Sequence, residues 1–160
     1  MKLYMQNGAF HWGSPVALLD KSGRTRYTLT SDAYSLGKRL HVIDLAGREA
    51  IYIYQQIPSL FPRYEIEVYG KPVGEIVKDL TSIRPRYTME SLEWEIMGSV
   101  GTCDYEITRH NAAIASSRPH HTSSGDVLVL EVHERAAELT AFGIMLTINC
   151  IFAAQEPKHL

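Results

Sequence analysis

Glu134-Arg-Ala-Ala-Glu-Leu-Thr-Ala-Phe-Gly-Ile-Met-Leu-Thr-Ile-Asn-Cys-Ile-Phe-Ala-Ala154 is the stretch that decides the fold. From Leu139 onward apolar residues occupy nearly every side of a helical projection, so a helix here has no face to offer water and must be hidden in a core or a bilayer. Its strictly apolar part is nearer ~14 than ~20 residues and is interrupted by Thr147 and Asn149, which favours a protein core. With its side chains such a helix is roughly 10 Å wide. An eight-stranded barrel is filled by its own side chains, whereas about eleven or more strands can enclose a central helix.

The 130 or so residues that precede it, at about 3–132, supply those strands, because their apolar residues alternate with period two. Tyr64-Glu-Ile-Glu-Val-Tyr69 alternates almost without error, and Arg48 to Ile57 combines β-branched with aromatic residues. Similar runs fall at Val16–Leu19, Arg26–Thr30, Leu40–Asp44, Val73–Lys78, Arg86–Glu90, Leu92–Met97, Asp104–Thr108, Ala112–Ser116 and Asp126–Val132. Leu3–Gln6 or Asp32–Leu36 adds one more. Turn residues punctuate the runs at Lys21-Ser-Gly23, Leu45-Ala-Gly47, Tyr69-Gly-Lys-Pro72, Arg109-His-Asn111 and Ser124-Gly125. Pro58–Pro62 and His120–Gly125 read as irregular loops. The expectation is one domain over residues 1–160, mainly β, a closed antiparallel barrel of about twelve strands around a buried helix at about 134–154.

Composition restricts the function. Hydrophobic residues at 45% and charged residues at 21% match an ordinary soluble domain. A formal net charge of -2 argues against a nucleic-acid binder that works by overall charge. The N-terminal residues carry no continuous apolar run of the kind a secretory signal needs, and two cysteines cannot form a disulfide framework, so a cytoplasmic location is expected.

Taken in order, several fragments resemble the LURP-one-related family: Val16-Ala-Leu-Leu-Asp-Lys-Ser-Gly23 with Arg26-Tyr-Thr-Leu29, Ser35-Leu-Gly37 before Leu40-His-Val-Ile-Asp44, and the strand ending at Gln55-Gln56. Tyr64-Glu-Ile66, Val73-Gly-Glu-Ile-Val-Lys78, Arg86-Tyr87, Asp104-Tyr-Glu-Ile107 and Ala112-Ala-Ile-Ala115 continue the likeness over nearly the whole chain. The resemblance implies the tubby-like barrel, shared with tubby proteins and phospholipid scramblases, of twelve strands around a hydrophobic C-terminal helix. It also implies anionic phospholipid head groups or a membrane surface as partners. The likeness lapses between Ser116 and Asp126, where the family's lysines are missing, so no anion site is carried over to that strand.

No catalytic constellation is found. Cys103 follows Gly101-Thr102 in a turn with no helix N-terminus or elbow to activate it. Glu93 and Glu95 share a strand face by period two but are expected to face solvent, and no Gly-rich phosphate loop opens a helix. His120 and His121 lie side by side, where adjacent side chains on an extended chain point apart, so a surface role is expected over metal binding. Neither a metal nor a cofactor is expected. The cluster with chemical content is basic: Arg63, Lys71, Lys78, Arg84 and Arg86 fall on two or three consecutive strands and their loops, with Tyr64, Tyr69 and Tyr87 close in sequence. Arginine's planar fork suits phosphate, although Glu65, Glu67, Glu75 and Asp79 dilute the charge. The expected function is a non-enzymatic binding protein, peripheral at a membrane, that takes phosphoinositide or other anionic lipid head groups on the outer barrel surface. The alternatives are a protein-interaction scaffold and, third, a scramblase-like membrane activity.

Overall fold

Each turn signal joins two runs of period-two alternation, and the product is a meander. The structure, a computed structural model, describes residues 1–32 and 35–156. Its strands are β1 (Lys2–Gln6), β2 (Val16–Leu19), β3 (Thr25–Ser31), β4 (Arg39–Ile43), β5 (Glu49–Gln55), β6 (Arg63–Val68), β7 (Lys71–Asp79), β8 (Arg86–Thr88), β9 (Trp94–Ser99), β10 (Asp104–Arg109), β11 (Ala112–Thr122) and β12 (Gly125–Val132). All twelve belong to one antiparallel sheet in the order β8-β7-β6-β5-β4-β3-β2-β1-β12-β11-β10-β9. The pairing of β1 with β12, from Lys2 opposite Glu131 to Gln6 opposite Val127, brings the ends of the strand region together. Only between β8 and β9 is the barrel not laced, apart from a single bridge between Met89 and Trp94.

A strict up-and-down order sorts the connections onto two rims. Those after β1, β3, β5 and β7 are long, their described residues being 7–15, 32 with 35–38, 56–62 and 80–85, and they share what we call the loop rim with the short links after β9 and β11. Those after β2, β4 and β6 are tight turns on the opposite, turn rim. There Asp20 and Asp44 each accept backbone N–H groups from the second and fourth residues after them, which explains why Asp-X-X-Gly closes both hairpins.

The C-terminal segment enters from the turn rim and ends near the loop rim. A 3₁₀ turn at Arg135–Ala137 leads into α1 (Glu138–Thr147), which continues through a π turn at Ile148–Phe152 and a last 3₁₀ turn at Ala153–Gln155. Ala141, Phe142, Ile144, Met145, Leu146, Ile148 and Phe152 are all buried among the inward residues of the wall, such as Leu18, Leu29, Leu40, Ile53 and Ile66. The helix comes so close to β5 and β6 at Gly143 that a Cβ there would lie 2.9 Å from Ile66 Cγ2 and 3.2 Å from Ile51 Cγ2. Arg135–Gln155, 21 residues, is long and apolar enough to cross a membrane by length and composition, yet 67% of its most apolar window is buried inside the barrel.

Two expectations change. Residues His120–Thr122 are not loop: β11 runs through Thr122, with His120 opposite Val127 and His121 opposite Asp126, because pairing with β12 overrides the loop-like local composition. Glu93 does not share a strand face with Glu95; it sits at φ 56°, after a 3₁₀ turn at Glu90–Leu92, one residue before β9 begins. Of the two candidates for an additional strand, Leu3–Gln6 is β1, while part of Asp32–Leu36 lies outside the described residues.

Candidate functional site

The unlaced seam between β8 and β9 opens into a cleft of ≈ 1650 Å³. Lys78, Arg84 and Arg86, from the end of β7, the β7–β8 loop and the start of β8, line it toward the loop rim. Glu90, Glu93 and Glu95 line it toward the turn rim. The cleft is therefore polarised along its length, basic at one end and acidic at the other. An anion is attracted to the end that holds Lys78, Arg84 and Arg86.

The three cations differ in setting. Lys78 lies two residues beyond the buried Ile76 and so shares its inward register, opposite Tyr87 in the ladder. Its side chain is only 12% exposed, and Nζ meets Gln155 Oε1 at 3.3 Å and Glu156 Oε1 at 3.7 Å. Lys78 thus belongs to the inner rim of the barrel rather than its outer wall, with its stem buried and its charge brought out at the edge. Arg86 is exposed, and in the ladder it faces Asp79, whose carboxyl is held below the usual range by hydrogen bonds from Thr81, with a smaller contribution from Arg86. Arg84 is exposed on the loop and makes no ion pair among the described residues.

Tyr87 completes the basic end. Its ring packs against Phe152 at 4.9 Å between centroids, and its hydroxyl donates to Glu156 Oε1. Burial, reinforced by that carboxylate, pushes the phenol's pKa well up, so it stays a hydrogen-bond donor at neutral pH. The Glu156 carboxylate rests on one ammonium and one phenol, the partners an anionic ligand would use. At the other end the Trp94 ring is buried in the cleft wall, under the Arg109 guanidinium at 5.9 Å, and its Nε1 has no acceptor among the described residues.

Arg63 and Lys71 stand apart from this group. Arg63 is on β6, where the register places Glu75 within reach, and the two form an ion pair at 2.5 Å. That hydrogen bond holds the guanidinium's pKa up, and the pair lines a separate recess of ≈ 210 Å³ with Asp79 and Glu90. Lys71 opens β7 at the turn rim, seven residues and about 23 Å from Lys78 along an extended strand. Tyr64 is in the core, edge-on to Phe152, its hydroxyl pushed up to about 12 by burial, and Tyr69 hydrogen-bonds Asp44 at the turn rim.

The other polar candidates have structural roles. Cys103 and Cys150 are both buried and no disulfide joins them; burial pushes the Cys150 thiol well above its ordinary range. His121 Nδ1 contacts Asp126 at 2.5 Å on the surface hairpin. Among the described residues no group of three or more His, Cys, Asp or Glu side chains is placed to hold a metal ion.

A twelve-stranded antiparallel barrel, filled by its own C-terminal helix and open at one seam where a cleft forms, is the class of fold to which the chain conforms. The chain belongs to the LURP-one-related family, whose family model matches residues 1–149. It is 25% identical over 160 residues to Uncharacterized protein YxjI of Bacillus subtilis (strain 168), covering 100% of this chain and 99% of that one. An X-ray structure of a protein from Arabidopsis thaliana superposes with a TM-score of 0.59 at 11% identity, over 92% of this chain and 91% of that chain, so the fold is shared.

Proposed function

We propose that this protein is a non-catalytic binding protein that takes the phosphorylated head group of an anionic lipid at the basic end of the seam cleft. The observation that carries the reading is the convergence of Lys78, Arg84 and Arg86 on one open cleft, at the end where Glu156 already rests on Lys78 and Tyr87. A phosphate monoester offers up to two negative charges and several acceptor oxygens, which suits an ammonium, two guanidinium forks and a phenol donor better than one carboxylate does. Burial of α1 supports a binding role over scramblase-like activity, since the segment able to span a bilayer is occupied with holding the barrel.

Sedimentation with vesicles of neutral phosphatidylcholine, with and without phosphoinositide, tests the reading. A soluble inositol phosphate is titrated in parallel to separate the head group from the membrane. Binding of both the phosphoinositide vesicles and the soluble head group, lost in Lys78→Gln/Arg84→Gln/Arg86→Gln, is expected. Equal recovery in the supernatant with both vesicle types, and no response to the soluble phosphate, would remove it.

A second reading, a protein-interaction scaffold, draws on the same seam. Beyond the bridge between Met89 and Trp94, edge strands β8 and β9 present backbone groups that are not laced to each other, and a partner's extended segment could add to them as a strand. Capture of a partner that survives the triple substitution favours it.

A further inference from the structure

The loop rim has a property that the head-group cleft does not require. Six of the ten exposed large hydrophobic side chains among the described residues are on its connections: Trp12, Leu36, Ile57, Leu60, Leu80 and Ile83. The three most exposed of all ten are there too, Ile83 at 105%, Leu60 at 90% and Leu36 at 84% of full exposure. The sheet order distributes them over four successive loops, after β1, β3, β5 and β7. Consecutive loops of that series are two strand spacings apart, about 10 Å, so the tips form an arc along the rim.

The loops after β1, β3 and β5 are anchored rather than loosely projecting. Gly13 N donates to Ser31 Oγ at 2.9 Å, Lys38 N donates to Gln55 Oε1 at 3.1 Å, and Ile57 Cδ1 lies so close to Gly37 that a Cβ there would approach it to 2.9 Å. Phe10 and Trp12 pack edge to face at 5.1 Å. The structure thus holds several apolar tips outward at a free-energy cost in water.

Charge on the same rim is arranged in a complementary way. Lys38, Arg39 and Arg84 make no ion pair among the described residues, and Arg86 flanks them. The carboxylates there are engaged: Asp32 by His41 at 3.1 Å, Asp79 by Thr81 at 2.7 Å, Asp126 by His121, and Glu156 by Lys78 and Tyr87. Available positive charge around separated apolar tips matches a bilayer surface carrying anionic lipid. A fluid hydrocarbon layer accepts tips spaced ~10 Å apart without a pocket cut for each, as a protein partner would need.

We infer that the loop rim is a membrane-docking face: the tips on the loops after β1, β3, β5 and β7 enter the interface of a bilayer bearing anionic phospholipid, while Lys38, Arg39 and Arg84 lie at the head groups. This rests on the lipid reading above for the nature of the partner. It adds the face and orientation of docking, and it brings the basic end of the seam cleft to the level of the head groups, because Arg84 belongs to both.

Two exposed tips can be changed with little risk to the fold, and a third apolar residue on the opposite rim serves as control. Full-length wild type, Leu60→Asp/Ile83→Asp and the turn-rim variant Leu45→Asp are sedimented with phosphatidylcholine vesicles containing about 30% phosphatidylserine, with far-ultraviolet circular dichroism confirming folding; the partition coefficient is read. At least a tenfold fall for the loop-rim pair is expected, the loss of two inserted side chains, with no change for Leu45→Asp. Wild type that stays in the supernatant, or a loop-rim pair that sediments as wild type does, overturns the inference. So does a turn-rim variant that falls equally. Leu60→Trp gives an independent readout: its emission should move to the blue and be quenched by lipids brominated on the acyl chain, and an unshifted, unquenched signal is also contrary. Titration with soluble inositol phosphate keeps the two readings apart. Loss of vesicle binding with the soluble ligand still bound by Leu60→Asp/Ile83→Asp is the expected pattern; a rim that docks in a protein blind to the soluble phosphate sinks the cleft reading alone.

Discussion

Tyr105 of β10 donates its hydroxyl proton to Asn149 Oδ1 of the core helix across 2.8 Å, fastening the helix to the barrel wall. The contact continues as a chain: Asn149 Nδ2 donates to Ser117 Oγ on β11 at 3.0 Å, and Ser117 Oγ donates to the carbonyl of Cys103 at 2.7 Å. Tyr105 and Ser117 are opposite each other in the ladder, so one polar side chain on the helix engages two paired strands. Apolar packing alone specifies the position of a helix less sharply than a satisfied polar contact, which adds a directional constraint on its register. Tyr105→Phe leaves Asn149 Oδ1 without this donor and should cost about 1–3 kcal/mol in urea unfolding. Tyr105→Phe/Asn149→Leu should be less unstable than the two single losses summed, which a double-mutant cycle measures.

The close approach at Gly143 gives a second expectation. The wall meets the helix where only hydrogen is available, at Ile66 and Ile51, and both contacts come from side-chain termini in the filled core. Gly143→Val adds three carbons where a single Cβ already falls inside van der Waals contact. Overpacking of this kind costs about 1–3 kcal/mol and can exceed it, outweighing the gain of up to ~1 kcal/mol from replacing a helical glycine. A lower thermal midpoint, with the strand signature in circular dichroism retained below it, is the expected result.

The core helix was legible in the sequence because its apolar residues go all the way round, a pattern with few physical solutions, and its width then sets how many strands must enclose it. Period two placed the strands for the same reason. What was not legible depends on pairing across long separations. Tyr105 and Asn149 are 44 residues apart, and no local pattern joins them. His120-His121-Thr122 looks like loop by composition, but the facing stretch of β12 makes it strand. Charge alone points Lys78 to the outer wall, yet the alternation itself, with Ile76 two residues earlier, carries the signal for its inward register. Nearness in sequence groups Arg63 and Lys71 with it, whereas the length of β7 puts Lys71 at the other rim and the β6–β7 register gives Arg63 to Glu75. The open seam left one faint trace, a short run after Pro85 that pairs through only three residues.

His41 on β4 supports a pH prediction. Its ring stacks on Tyr52 at 5.1 Å, with Nδ1 2.6 Å from Glu49 Oε2 and Nε2 3.1 Å from Asp32 Oδ2. Partial burial pulls the imidazole's pKa down, but the hydrogen bonds that the ring donates to both carboxylates outweigh it, and the net shift is upward from 6.5. A raised folded-state value means that the protonated ring favours the folded state. Its contribution is complete below the unfolded value near 6.5 and fades as pH rises through the higher folded value. The thermal midpoint of wild type should therefore exceed that of His41→Gln at about pH 6, and the gap should narrow toward pH 8.5. A constant gap across that range would show that the ring acts through stacking alone.

Glu156 offers the most direct test of the basic end of the cleft, because its carboxylate holds the positions an incoming anion needs, against Lys78 Nζ at 3.7 Å and the Tyr87 hydroxyl. A ligand phosphate must displace that carboxylate, and the free energy of the displaced contacts is subtracted from binding. Glu156→Gln keeps the size of the side chain and removes its charge. With the competitor neutralised, soluble inositol phosphate should bind about three- to tenfold more tightly, corresponding to ~0.7–1.4 kcal/mol by the affinity relation. Lys78→Gln should weaken binding in both backgrounds, and Arg84→Gln, at an exposed residue outside the core, should weaken it while leaving the unfolding midpoint within about 0.5 kcal/mol of wild type. Calorimetric titration of the five proteins distinguishes competition from a passive role: if Glu156→Gln binds no better than wild type while Lys78→Gln still binds worse, the carboxylate does not share the ligand's place.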